Sequence, residues 1–136
     1  MYNHILIPVA IDHLEHASPA FEVAKRLIKS GGEISLVNVI EDIPTFASSY
    51  IPKGTLEANE KHIIKALDKL AHEAGHNYAS AVIHGKPHIT ILEQAEKVGA
   101  DCIIIASHKP GLEDYFLGST AGRVVRHAKC CVHVLR

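Results

Sequence analysis

The sequence predicts an α/β fold in which a parallel sheet is wound on both sides by helices. Two observations carry this. Apolar runs such as Ile5-Leu6-Ile7 and Cys102-Ile103-Ile104-Ile105-Ala106 have no polar residue at alternate positions. Such strands are buried on both faces, as in a parallel sheet under helices. Strand-like and helix-like segments also alternate through the chain and end in a strand, the pattern of a doubly wound sheet. Right-handed crossovers then leave few topologies.

Taken in order, residues 4–10 (HILIPVA) form the first strand. Pro8, near its end, cannot donate a ladder bond and suits a strand tip. Ser18-Pro19 opens the first helix, with Ser as N-cap and Pro in the first turn. Phe21, Ala24, Leu27 and Ile28 follow at helical spacing, and Gly31-Gly32 closes the helix. Residues 33–40 are the second strand, with Val39 at its C-terminal end. Residues 41–54, with Pro44, Phe46, Tyr50 and Pro52, form the long irregular segment. A loop of this length is either a lid over a ligand or a variable surface loop. A long helix spans residues 55–74, with Ile63, Ile64, Leu67, Leu70, Ala71 and Ala74 on its buried face. Glu57 and Lys61 on another face make a modestly stabilising pair. Residues 79–84 are the third strand. Gly85-Lys86-Pro87 turns into a helix over 88–98, with Ile89, Ile91, Leu92 and Ala95 inward and Gly99 at its close. The fourth strand, a helix over 120–128 and a last strand over 131–135 complete the chain.

The chemistry concentrates after the fourth strand. Ser107-His108-Lys109-Pro110-Gly111 is short, polar, cationic and turn-forming, so the chain leaves the sheet there. Gly118-Ser119-Thr120 then opens a helix. Gly118 lets a ligand approach the backbone closely. Ser119 or Thr120 can cap the helix and offer a hydroxyl, and the first helical N–H groups are unpaired. This combination binds anions. A phosphate cradle is expected at the C-terminal end of a central strand.

Composition bounds the rest. A chain of 136 residues is expected to be one domain with a real core. A formal net charge of −1 gives no strong pull toward nucleic acid or an anionic membrane. No apolar run approaches the roughly 20 residues of a membrane span. The N-terminus lacks the cationic start of a signal peptide. Three Cys, two of them adjacent, make no disulfide framework and suit a reducing cytoplasm. Cys130 and Cys131 are expected to bracket the last strand as core and edge residues.

The stretch from Ala106 to Ser119 resembles the signature of the universal stress protein family. Its ATP-binding members carry Gly-x-x-Gly, a spacer and then Gly-Ser or Gly-Thr. The matching residues here are Ala106, Lys109 and Gly118-Ser119, with a spacer from Pro110 to Leu117. Both glycines of the first half are replaced. Ala-Ser-His-Lys-Pro followed by Tyr-Phe-Leu-Gly-Ser resembles a small bacterial branch that still binds adenine nucleotides. The resemblance extends from Ile5-Leu6-Ile7-Pro8-Val9 to the last strand. It implies strand order 3-2-1-4-5, in which strands 1 and 4 meet at the switch point where such sheets bind ligands. It also implies ATP or AMP as ligand, with or without Mg2+, and a nucleotide site made of Pro8, Val9, Ala10, Asp12, Val39, Ala106, Ser107, His108, Lys109, Gly118, Ser119 and Thr120. The family's Asp that holds ribose or metal falls at Ala10. Asp12, two residues on, is either its substitute or a solvated loop acid. Val39 either packs on adenine or is plain core. His108 and Lys109 can donate to phosphate, and Lys109 can equally be a solvated loop cation. The resemblance further implies a homodimer through the apolar last strand, which is a pairing edge at the chain end.

His72-Glu73-Ala74-Gly75-His76 matches the H-E-x-x-H zinc motif, but Gly75 reads as a helix stop that separates the two His. No metal site is therefore expected, despite eleven His. The full Walker pattern is missing, so vigorous NTP hydrolysis is not expected. The expected protein is a cytoplasmic nucleotide-binding regulator that signals to a protein partner in a stress response. The alternatives are a slow ATPase or self-phosphorylating or self-adenylylating enzyme, and a nucleotide-free dimeric interaction protein.

Overall fold

The computed structural model describes residues 1–11, 17–74, 78–107 and 117–136. Five parallel strands form one sheet in the order β3-β2-β1-β4-β5. The strands are β1 Tyr2–Pro8, β2 Ile28–Ile40, β3 Tyr78–His84, β4 Cys102–Ala106 and β5 Cys131–Leu135. The helices are α1 Ala17–Leu27, the single-turn α2 Thr45–Ser48, α3 Thr55–Glu73, α4 Pro87–Val98 and α5 Ser119–His127.

The apolar runs are buried on both sides because successive residues feed opposite layers. Ile5, Ile7, Ile34, Leu36, Cys102 and Ile104 pack with Ala20, Phe21 and Ala24 of α1 and Leu67 and Ala71 of α3. The intervening Leu6, Val37, Ile103 and Ile105 pack with Ile91 and Ala95 of α4 and Ala121 and Val124 of α5. The edge strands β3 and β5 are only partly covered.

Several local expectations are corrected. Gly31-Gly32 does not end α1, which stops at Leu27, and the second strand begins at Ile28 rather than 33. While β1 steps from Tyr2 to His4, β2 steps from Ile28 to Glu33, so the glycines sit in a bulge within the strand. Gly31 adopts φ 77°, which a side chain disfavours. The first strand runs over Tyr2–Pro8, two residues earlier than expected. Asp101 explains the early start, because its carboxylate accepts the N–H groups of Asn3 and His4 at 2.9–3.1 Å and ties the chain start to β4. Ser18 lies inside α1 rather than capping it. Ile64 and Ile89 are about 40% exposed (41% and 42%), outside the buried faces expected for them. At 3.6 residues per turn the seam of α3 follows Ile63, Leu67 and Ala71, and Ile64 falls a step to the side. The segment over 41–54 is not wholly irregular, since α2 lies within it.

α3 ends at Glu73, and Gly75 and His76 of the H-E-x-x-H match lie outside the described residues. Among the described residues no three His, Cys, Asp or Glu side chains converge as metal ligands. No described helix is long and apolar enough to cross a membrane.

Candidate functional site

A cavity of about 290 Å3 opens where the C-terminal ends of β1, β2 and β4 meet the N-terminal ends of α4 and α5. In this order β1 lies between β2 and β4, and its two neighbours are reached by connections on opposite faces, which is where doubly wound sheets leave a crevice. The structure brings Pro8, Val9, Ala10, Val39, Ala106, Ser107, Gly118, Ser119 and Thr120 together on the wall of this one cavity. Asp12, His108 and Lys109 lie outside the described residues.

The α5 end is built as an anion seat, but not by the expected cap. Gly118 is itself the N-cap, and its carbonyl accepts the first helical bond from the Gly122 N–H at 2.8 Å. Ser119 and Thr120 are therefore the first helical residues, and no described side chain caps the helix. Helix geometry leaves the amides of Ser119, Thr120 and Ala121 without intrahelical partners, and all three residues line the cavity. Gly118 has φ −56° and ψ 154°, which any residue can adopt. Its contribution is space: a Cβ there would meet only the Ser107 carbonyl oxygen, 3.6 Å away, among the described residues. Ser107 is buried, and both its N–H (2.9 Å) and its hydroxyl (3.2 Å) donate to the Leu135 carbonyl. Its side chain thus anchors β4 to β5 rather than offering a free donor to a ligand.

The strand tips are held by a residue that sequence reasoning missed. Asn38 is 6% exposed and donates its Nδ2 to the Val9 carbonyl at 2.8 Å, while the Val9 N–H donates to the Val37 carbonyl at 2.8 Å. Asn is disfavoured in strand interiors, and one standing among Leu36, Val37, Val39 and Ile40 was the signal available. Val39 is half-buried on the wall. Pro87, Ile91, Ala17, Ala20 and Ile105 also line the cavity and carried no signal beyond apolarity. No described lining residue is ionisable, so the polar groups are Asn38, Ser107, Ser119, Thr120 and exposed backbone. Such a site has apolar walls, a few placed polar groups and an anion seat, and its volume stands near the lower end of ligand cavities, about 300 Å3.

One further polar set lies at the opposite end of the sheet. His4 Nε2 stands 2.6 Å from Ser35 Oγ, and His4 Nδ1 stands 3.5 Å from Glu33. The order of groups is that of a hydrolytic triad. Ser35, however, is buried in mid-strand with ladders to β1 and β3 on both sides, which leaves no amide pair to stabilise an oxyanion. The set satisfies a buried hydroxyl.

The universal stress protein family model matches residues 1–136. This chain belongs to the universal stress protein family. It is 30% identical to Universal stress protein G of Shigella flexneri over 152 residues, covering 100% of both chains. It is 32% identical to Universal stress protein MJ0531 of Methanocaldococcus jannaschii over 141 residues, covering 100% of this chain and 83% of the relative. Among solved structures, hypothetical protein MJ0577 superposes with a TM-score of 0.75 at 28% identity, covering 99% of this chain and 96% of that one. A universal stress protein of Archaeoglobus fulgidus, solved in complex with dAMP, superposes at TM-score 0.65 and 18% identity over 99% and 98% of the two chains. The five-stranded order seen here is thus the universal stress protein fold.

Proposed function

We propose that this universal stress protein binds an adenine nucleotide, AMP or ATP, in the cavity between β1 and β4. The observation that carries the reading is the convergence of α5 amides that lack intrahelical partners with an apolar-walled crevice at the sheet's switch point. The phosphates would rest on Ser119, Thr120 and Ala121, and the base would lie toward Val39. Two proteins of the same fold, each 18% identical, were solved with cAMP and with dAMP, which supports an adenine ligand. No carboxylate lines the cavity among the described residues. A magnesium ion arriving with ATP would be held by phosphate oxygens and water, with the Ser119 or Thr120 hydroxyls and Asp12 as the protein's oxygen donors. In this proposal Asp12, His108 and Lys109 complete the site.

Occupancy would set the conformation of the 41–54 segment, which follows directly on the cavity-lining end of β2 and presents Phe46 (79% exposed) and Tyr50 (87% exposed). A protein partner would read that state in the cytoplasm during a stress response. Homodimerisation would use β5, whose outer edge has no described strand beside it. The rival reading, a dimer that works without nucleotide, is favoured by Ala10, which places no acid at the β1 tip. Two measurements decide. Nucleotide released on denaturing freshly purified protein, together with calorimetric saturation by AMP or ATP, is the expected result. Empty protein that gives no heat with millimolar nucleotide would overturn the proposal.

A further inference from the structure

We infer that Asn38 reads the base in this cavity and selects 6-aminopurines over 6-oxopurines. The inference rests on the nucleotide reading above and goes further by naming the residue that discriminates. Asn38 lines the cavity and is 6% exposed. Its one side-chain hydrogen bond among the described residues runs from Nδ2 to the Val9 carbonyl at 2.8 Å. A carbonyl only accepts, so this bond fixes which end of the carboxamide is nitrogen, an assignment usually open for Asn. The oxygen is then the end with no donor among the described residues, and Asn38 lines a cavity with no ionisable lining residue among those described.

Position supports the same conclusion. Asn38 sits on β2, and the amide seat of α5 follows β4. β1 lies between them. Two strand spacings are about 10 Å, a span that a nucleoside monophosphate bridges with its sugar over the β1 tip. The base end of the ligand therefore falls beside Asn38. A carboxamide acceptor matches the exocyclic amine of adenine, with the second Nδ2 hydrogen available to a ring nitrogen, and this is the pairing by which Asn recognises adenine elsewhere. A 6-oxo group presents an acceptor to an acceptor. Among Ile7, Val9, Ala17 and Ala20, the lining residues of the layer that Asn38 faces, no water-rich surroundings relieve that mismatch.

The test uses the full chain and three ligands that differ at position 6 of the base: AMP, IMP, which also carries a proton on N1, and purine riboside 5′-monophosphate, which has only hydrogen at position 6. Calorimetry on the wild type is expected to show AMP binding at least about tenfold tighter than the other two. In Asn38→Ser the three affinities are expected to converge within about threefold, mainly by loss of AMP affinity. A purely structural Asn38 would weaken all three ligands together and leave their ratio unchanged. Equal affinities in the wild type, or an AMP preference that survives in Asn38→Ser, would overturn the assignment while leaving nucleotide binding intact. If none of the three binds, the nucleotide reading itself fails, and this inference with it. The wild-type ligand series decides the matter even if the variant does not fold.

Discussion

Replacing Gly118 with Ala separates the fold from the site. The backbone at 118 (φ −56°, ψ 154°) is open to any L-residue, and among the described residues the new methyl would meet only the Ser107 carbonyl oxygen at 3.6 Å, an ordinary contact. Ala is a poorer N-cap than Gly by less than about 1 kcal/mol. Stiffening the unfolded chain returns about 0.4–1 kcal/mol. The two nearly cancel, so the melting temperature of the ligand-free protein should move by less than about 5 °C. Binding should not be spared. Gly118 lines the same cavity as Ser119 and Thr120, so the methyl would narrow the space that a phosphate needs to come within about 3 Å of their nitrogens. Even a small outward displacement weakens charge-assisted bonds of about 1.5–3 kcal/mol each. Affinity for AMP should therefore fall about tenfold or more, equivalent to about 1.4 kcal/mol. Thermal melts without ligand and calorimetry with AMP on the same preparation give both numbers. A variant that melts far lower, or one that binds AMP as the wild type does, refutes the account of Gly118 as space kept for a ligand.

Three other outcomes follow from the packing. Gly85 has φ 152°, and a Cβ there would collide with the Thr90 hydroxyl, so Gly85→Ala should cost about 2–4 kcal/mol in denaturant unfolding. Burial alone would raise the Asp101 carboxyl, but hydrogen bonds from Asn3 and His4 outweigh it and hold the pKa at about 2. Its contribution is complete above the ordinary carboxylate pKa near 4 and is lost as pH falls toward 2. Asp101→Asn should accordingly flatten the acid limb of a stability–pH curve in that window; a limb of unchanged slope refutes the role. Burial, and then the neighbouring Cys131 and Cys130, push the Cys102 thiol up to about 11. A thiol reagent at pH 8 should thus modify exposed Cys131 first and Cys102 only on unfolding, as timed mass spectrometry would show.

Much of this was legible in the residues themselves. Apolar runs without alternation imply strands covered on both faces, and that alone dictates helices in two layers. Gly118-Ser119-Thr120 before a helical pattern implies free amides at a helix start. These are local properties, set by side-chain shape and backbone geometry within a few residues. The tertiary structure decided what depends on partners distant in the chain. The register of β2 against β1 turned Gly31-Gly32 from a helix stop into a bulge. The direction of the α3 seam buried Ile63 and left Ile64 outside. The reach of Asn38 from β2 to Val9, just past the end of neighbouring β1, oriented a carboxamide whose role no neighbouring residue announces. Periodicity says which face of an element is apolar, but a hydrogen bond between residues 29 positions apart exists only once the sheet has brought them together.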